Sequence, residues 1–271
     1  MINKKKAVPV HGLGILILAC SCSLAHADDG PDLAKLVQNP IAKVISLPFQ
    51  NNLTFGAGPD HDPQDVLNIQ PVLPIQISDD WNVITRTIIP VDYQPALTPG
   101  GSAVGGVGDI SLALYFSPAR TSGSLIWGVG PAFIFPSAGH EVLGQGKFST
   151  GVSAVALTIR GPWLVGALVT EVASVSGEAY RRPVNQMLLQ PFINYNFPRG
   201  WYLTSSPIIT ANWKAPGSQQ WTVPVGAGAG RAFRLGRQAM NAQVQAFDDV
   251  THPHGYGNWT LRVQFQLLFP K

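Results

Sequence analysis

The sequence predicts an all-β fold: an up-and-down antiparallel transmembrane β-barrel of about twelve strands, following a cleaved N-terminal signal peptide. Three observations predict it. Apolar residues recur with period two along most of the chain, connections alternate between tight turns and longer loops, and charge is scarce. Only 12% of the 271 residues are charged, about half the roughly 25% usual in soluble domains, while 45% are hydrophobic. That composition excludes a charged helical bundle and a typical cytosolic enzyme. The 28 Gly and 23 Pro are dense punctuation, yet 12 Phe and 7 Trp are too many for a disordered chain. A net charge of +3 is too small for a nucleic-acid footprint, so no nucleic acid is expected as a partner.

The leader comes first. Lys4, Lys5 and Lys6 precede an apolar stretch from Leu13 through Ala19, and Ala25-His26-Ala27 stands before Asp28-Asp29. A basic head, an apolar middle too short to span a membrane, and small residues where a signal peptidase reads make residues 1–27 a secretory signal, cut between Ala27 and Asp28. A second reading acylates Cys20 after Leu18-Ala19, but the Ala25-His26-Ala27 exit fits better. Removing residues 1–27 takes three lysines and both cysteines, Cys20 and Cys22, leaving a neutral chain without a disulfide. Its stability must then rest on a continuous hydrogen-bonded framework. Residues 28–42 form a periplasmic N-terminal segment. Between Pro31 and Leu47, Leu33, Leu36, Val37, Ile41, Val44 and Ile45 recur at helical spacings. A short amphipathic helix plugging the barrel mouth is one expectation. A helix outside the pore or an extended leader is the other.

The barrel occupies residues 43–271. Leu67, Ile69, Leu73, Ile75 and Ile77 share one face of a strand, opposite Asn68, Gln70 and Gln76. Met187, Leu189, Ile193, Tyr195 and Phe197 oppose Gln186, Gln190, Asn194 and Asn196. Near the C-terminus Trp259, Leu261, Val263, Phe265, Leu267 and Phe269 alternate with Thr260, Arg262, Gln264 and Gln266. The twelve strands are placed at 43–56, 66–78, 81–93, 108–118, 124–136, 148–160, 163–175, 185–197, 201–213, 221–234, 238–248 and 258–269. Short turns at 79–80, 119–123, 161–162, 198–200 and 235–237 alternate with longer loops rich in Gly, Pro, Asp and His. An even strand count puts both termini on the short-turn, periplasmic side.

Aromatics separate a membrane barrel from a soluble one. Trp81, Trp163 and Trp201 each open a strand directly after a short turn, and Trp213 and Trp221 flank a long loop, as in the two girdles of outer-membrane barrels. A soluble barrel would carry Lys, Glu and Asp on its outward face, whereas here the face opposite the apolar one holds mainly Asn, Gln, Ser and Thr. Arg86, Glu171 and Arg262 are the main charged residues inside strands. Pro71, Pro74, Pro131, Pro191, Pro207 and Pro224 fit badly, because each removes a ladder donor. Bulges at a common level would reconcile them.

Several long runs carry a family likeness. They include Asn39-Pro40-Ile41-Ala42 with Ile45-Ser46-Leu47-Pro48-Phe49-Gln50-Asn51-Asn52, Asn68-Ile69-Gln70-Pro71, Thr85-Arg86-Thr87 and Gly106-Val107-Gly108-Asp109. Further on stand Asn185-Gln186-Met187-Leu188-Leu189-Gln190-Pro191-Phe192, Gly200-Trp201-Tyr202-Leu203-Thr204-Ser205 and Ile209-Thr210-Ala211-Asn212-Trp213-Lys214, and the chain closes on Leu268-Phe269-Pro270-Lys271. In these runs the chain resembles the outer-membrane barrels of the meta-pathway phenol-degradation family, labelled transporters and sometimes mislabelled neuromedin U. The resemblance implies a barrel in the bacterial outer membrane that takes up small compounds, aromatic ones among them, with no catalytic residues and no cofactor. It also implies contact with outer-membrane lipids and the barrel-assembly machinery. Most such barrels end on an aromatic residue, so the assembly signal is expected to read Phe269, two residues in.

Motifs for other chemistry are weak. Gly226-Ala227-Gly228-Ala229-Gly230 imitates a dinucleotide loop without a helix or βαβ unit, and Gly144-Gln145-Gly146-Lys147 lacks the spacing and hydroxyl of a phosphate loop. Asp60-His61-Asp62 and Asp248-Asp249 with His252 and His254 offer oxygen and imidazole ligands, but solvated loop charges are the simpler reading. Those loop Asp/His residues support the enzyme alternative; a structural or adhesive barrel with a closed lumen is the other alternative. The leading expectation is a non-enzymatic channel for small neutral or weakly polar solutes, lined by Asn68, Gln70, Asn82, Arg86, Gln190, Asn194, Gln243, Gln245, Arg262 and Gln264. No metal site is expected.

Overall fold

The computed structural model describes residues 30–120 and 124–269. The signal segment, with its cut between Ala27 and Asp28, lies outside them. Twelve barrel strands follow one helix, α1 (Gly30–Gln38). They are β1 (Ile45–Ala57), β2 (Asp62–Ile69 continued by Val72–Gln76), β3 (Trp81–Gln94) and β4 (Val104–Val107 continued by Ser111–Pro118). Next come β5 (Leu125–Ile134), β6 (Lys147–Arg160), β7 (Trp163–Gly177) and β8 (Asn185–Asn196). The last four are β9 (Trp201–Ser205 continued by Ile209–Asn212), β10 (Trp221–Leu235), β11 (Gln238–Thr251) and β12 (Trp259–Phe269). Each pairs antiparallel with the next, and β1 pairs with β12 from Ile45–Phe269 to Phe55–Trp259. The barrel is closed. The expected strand order holds, and so does the turn alternation after β2, while the β1–β2 connection, residues 58–61, is as short as the turn at 77–80. Two loops are shorter than read, because β2 starts at Asp62 and Val104–Val107 extends β4 into the stretch taken as loop.

Period-two alternation decides which side chains face inward. Along β7, Leu164, Leu168 and Val172 are buried while Trp163, Val165 and Val169 are exposed. The same alternation leaves Leu73, Ile75, Val129, Val152, Ile193, Val244 and Val263 exposed around the wall. So continuous an apolar exterior is far beyond what a water-soluble surface carries. Among the described residues no helix is long and apolar enough to cross a membrane; the crossing elements are strands. Trp81 stands edge-on to Trp127, and Trp163 to Tyr195, near the short turns; Trp213 does the same to Trp221 by a long loop.

The interior at the short-turn end is filled. Leu33, Ala34 and Val37 of α1 pack with Ala42, Val44, Tyr202, Ala232, Ala239 and Leu268. Beside them Ile41 joins Ile84, Tyr115, Val155, Leu157, Leu164, Leu168 and Phe192 in a second apolar cluster. The helical spacing of residues 33–37 therefore has a physical use: its apolar stripe faces the inward side chains of β9 to β12. Gln38 fixes the helix end by exchanging two hydrogen bonds with Asn196, at 2.8 and 3.1 Å.

The in-strand prolines mark the irregularities of the wall. β2 is interrupted at Gln70-Pro71, and β9 at residues 206–208. Between the paired Leu189–Ile209 and Ile193–Ser205, register puts Pro191 opposite Pro207, so neither proline deprives the other of a donor. Pro224 sits at a register shift against β11. Pro131 falls in the stretch where β4–β5 pairing lapses between Ala113–Ala132 and Phe116–Val129. Pro74, by contrast, stays in register with Ile84.

The glycine run lies in β10, paired along its length with β11. A Cβ added at Gly228 would run into the Val244 carbonyl oxygen, which the ladder holds in place, whereas one at Gly217 meets nothing within 4 Å. Gly228→Ala is expected to destabilise the barrel by about 1–3 kcal/mol, and Gly217→Ala to be near neutral. Denaturant unfolding in micelles, followed by the mobility difference between heated and unheated samples, measures both.

Candidate functional site

The lumen is the candidate site, and it is divided along the barrel axis. Above the apolar clusters at mid-height lies a cavity of about 130 Å³, bordered by Gln50, Gln70, Arg86, Gln190, Asn194, Gln243 and Gln264. These residues come from strands on both sides of the barrel, and Val37, Gln38, Asn39 and Pro40 border the same space. A dry cavity of roughly 150 Å³ admits benzene, so this one is at the size limit for a single ring. Several of these polar side chains are bonded. Arg86 Nη2 donates to Gln70 Oε1 at 2.8 Å, Gln243 Nε2 to Gln264 Oε1 at 3.2 Å, and the Tyr202 hydroxyl reaches Asn241 Oδ1 at 2.7 Å.

A larger cavity of about 690 Å³ opens toward the long loops. Its walls are Ile88, Ala113, Tyr115, Phe133, Leu168, Val172 and Leu188, and its mouth is formed by Arg182, Lys214, Gln219 and Tyr256. Burial pushes the Tyr256 phenol up to about 12, with the nearby Asp249 charge adding to the effect, so this hydroxyl is neutral at ordinary pH. Arg86 borders both cavities and is the residue they share with Leu168.

The break in β9 bends backbone polar groups into the lumen, where side chains meet them. Gln245 Oε1 accepts from Ser206 N and Oγ, both at 3.1 Å. Arg262 Nη1 donates to Ser206 O at 2.7 Å and Nε to Asn52 Oδ1 at 2.8 Å, while its guanidinium lies 4.7 Å from the Phe247 ring centre. Arg262 therefore holds β9 to β12 and β1. A third bundle of contacts ties two long loops together: Arg181 donates to the carbonyls of Glu141 at 2.8 Å, Gln145 at 3.2 Å and Gly144. Asp109 braces the same loop by accepting from Gln145 N at 2.6 Å and Ala138 N at 3.1 Å.

The ten residues singled out from the sequence fall into three groups. Gln70, Arg86, Gln190, Asn194, Gln243 and Gln264 border the amide-lined cavity. Arg262 borders a separate space beneath the loops with Thr54, Asp249 and Tyr256, and Gln245 is buried against Ser206. Asn68 shares a face with Gln50, its partner on β1, and Asn82 is buried toward the short turns; neither borders these cavities. Sequence reasoning missed Gln38, Asn241 and Ser206, although the period-two phase of β11 points to Asn241. It also missed Arg182 and Lys214, for which no local signal exists. Of the Asp and His residues singled out near the loops, Asp249 accepts from Thr260 at 3.3 Å and His252 Nδ1 lies 3.0 Å from Pro253 O. Among the described residues no three His, Cys, Asp or Glu side chains gather as a metal site.

No protein-family model matches the chain, and no curated protein matches it in sequence. Among solved structures it is similar to an outer membrane channel from Pseudomonas putida F1, with a TM-score of 0.62 and 14% identity over 83% of this chain and 94% of that one. It is also similar to outer membrane phospholipase A from Escherichia coli, at TM-score 0.45 and 11% identity over 89% and 98% of the two chains. For the CymD monoaromatic hydrocarbon channel the values are 0.45 and 11%, over 90% and 93%. The first likeness places the fold with outer-membrane β-barrels.

The Arg181 contacts carry a direct expectation. Arg181→Ala releases three carbonyls at once, so amide hydrogen exchange rises in residues 137–147 and 178–184 and stays unchanged in β7. Equal exchange in the variant and the parent protein would mean that Asp109 alone holds these loops.

Proposed function

We propose that this chain is a channel of the bacterial outer membrane for small neutral or weakly polar solutes, aromatic ones among them, and a member of the phenol-degradation family that its sequence resembles. The observation that carries the reading is the pair of lumenal cavities. A loop-side cavity of about 690 Å³ and an amide-lined one of about 130 Å³ share Arg86 and Leu168 as lining, inside a closed barrel with an apolar exterior. The larger volume is in the range of small-molecule sites, roughly 300–1,000 Å³. The loop rim then faces outward and the short-turn rim faces the periplasm. Lipid covers the exposed apolar belt, and Phe269, exposed on the last strand, serves the barrel-assembly machinery as its signal.

In this reading the N-terminal segment is the plug. Val37, Gln38, Asn39 and Pro40 form the lower boundary of the amide-lined cavity, and Gln38–Asn196 is the polar contact that a passing solute would have to displace. Twelve strands leave a lumen narrower than that of the sixteen- to eighteen-stranded porins, and the wall has no dense ring of one charge.

Two electrical measurements test this. Deleting residues 28–40 should raise single-channel conductance in planar bilayers several-fold; unchanged conductance would mean that the segment does not plug the pore. Reversal potentials under a salt gradient should show a mild anion preference that shrinks in Arg86→Ala. Strong cation selectivity, indifferent to Arg86→Ala and Arg262→Ala, would contradict the assigned lining.

A further inference from the structure

We infer that the loop-side cavity is a binding site for a small apolar carboxylate, an aryl or short alkyl monoacid, whose carboxylate sits on the Arg86 guanidinium. The inference deepens the channel reading and rests on it for its biological sense. Its evidence is the distribution of charge in the cavity. Arg86 stands at the floor and Arg182 and Lys214 at the mouth, and no Asp or Glu borders the space. Of the acidic loop residues nearby, Asp109, Glu141 and Glu178 surround Arg181 in a neighbouring recess, and Glu141 also borders a space with Arg182 outside the cavity. Among the described residues, ion pairs join Lys35 to Asp32 and Arg181 to Glu141, so the three cations of the cavity have no carboxylate within 4 Å.

Comparison of the two lumenal arginines sharpens the point. Arg262 has two hydrogen-bond partners, Asn52 and the Ser206 carbonyl, and lies over the Phe247 ring. Arg86 has one partner, the neutral Gln70 amide, reached through Nη2. A guanidinium carries five donors in a planar fork that matches a carboxylate in a two-point contact. A half-buried cation beside Ile88, Tyr115 and Leu168, bonded among the described residues to one neutral amide, keeps donors for a charged ligand that enters the cavity. An anion with an apolar body meets those donors and covers the apolar wall in the same step. Arg182 and Lys214 at the exposed mouth would draw such an anion inward before it meets Arg86.

The probe pair is benzoate and benzyl alcohol, nearly equal in size and different in charge, with binding measured by equilibrium dialysis against the refolded, full-length barrel at pH 7. Benzoate is expected to bind about tenfold or more tightly than the alcohol, because a charge-assisted two-point contact replaces a neutral one. Arg86→Gln should abolish that advantage while leaving alcohol binding in place, and Arg86→Lys should restore part of it. High salt should weaken benzoate binding and not alcohol binding. Equal affinity for the two probes, or a benzoate preference that survives Arg86→Gln in a correctly folded barrel, overturns the proposal. Benzoate flux into proteoliposomes reads the channel itself. Selective binding without flux keeps the site and contradicts the channel, whereas pore conductance without selective binding keeps the channel and contradicts the site.

Discussion

A backbone amide or carbonyl that faces hydrocarbon has no water to bond, so a sheet exposed to lipid must satisfy every polar group within itself. Most features of this chain follow from that constraint. It explains why the first and last strands pair along eleven residues, from Ile45–Phe269 to Phe55–Trp259, and leave no edge. It also explains where three of the in-strand prolines sit. Pro191 and Pro207 face each other across one gap, and Pro224 occupies a bulge, so the donors that proline lacks are missing where the ladder has already lapsed. The backbone groups released at the β9 break turn into the lumen, where Gln245 and Arg262 meet them.

Closure in turn creates the interior. With apolar side chains committed to the outward face, the opposite phase of each strand must point into the lumen. The amides there bond to one another, as Gln243 does to Gln264, and apolar inward residues such as Ile84, Leu157 and Leu164 gather with Ile41 at the short-turn end. The result is a lumen that is packed at one end and open at the other. Arg86 stands between the two regimes, with the apolar cluster below it and the loop-side cavity above.

The fold was legible because a barrel strand is a local object. Period two, turn length and the position of Trp81, Trp163 and Trp201 are each written within a few residues, and so is the list of awkward prolines. The inward phase was equally legible, since alternation assigns Gln70, Arg86, Gln190 and Gln264 to one face without knowledge of their neighbours. What lies inside the barrel is a different matter. That Gln245 is consumed by Ser206, that Asn68 and Asn82 border neither lumenal cavity, and that Arg182 and Lys214 converge on one cavity mouth depend on contacts between distant segments. The helix shows both sides. Its spacing was visible at Leu33, Val37 and Ile41, but its docking depends on Tyr202, Ala232, Ala239 and Leu268, four residues scattered over the last third of the chain.

One face of each strand meets lipid and the other meets the lumen, which opens to water at the loops. Adjacent residues of β7 test it most directly, since Val169 is exposed on the outer wall and Thr170 borders the large cavity. The only cysteines of the chain are Cys20 and Cys22, so a barrel beginning at Asp28 offers a thiol-free background. In proteoliposomes a charged, water-soluble thiol reagent should modify Thr170→Cys and spare Val169→Cys, and a lipid-soluble reagent should do the reverse. Modification of Val169→Cys by the charged reagent, with Thr170→Cys protected, would contradict the account.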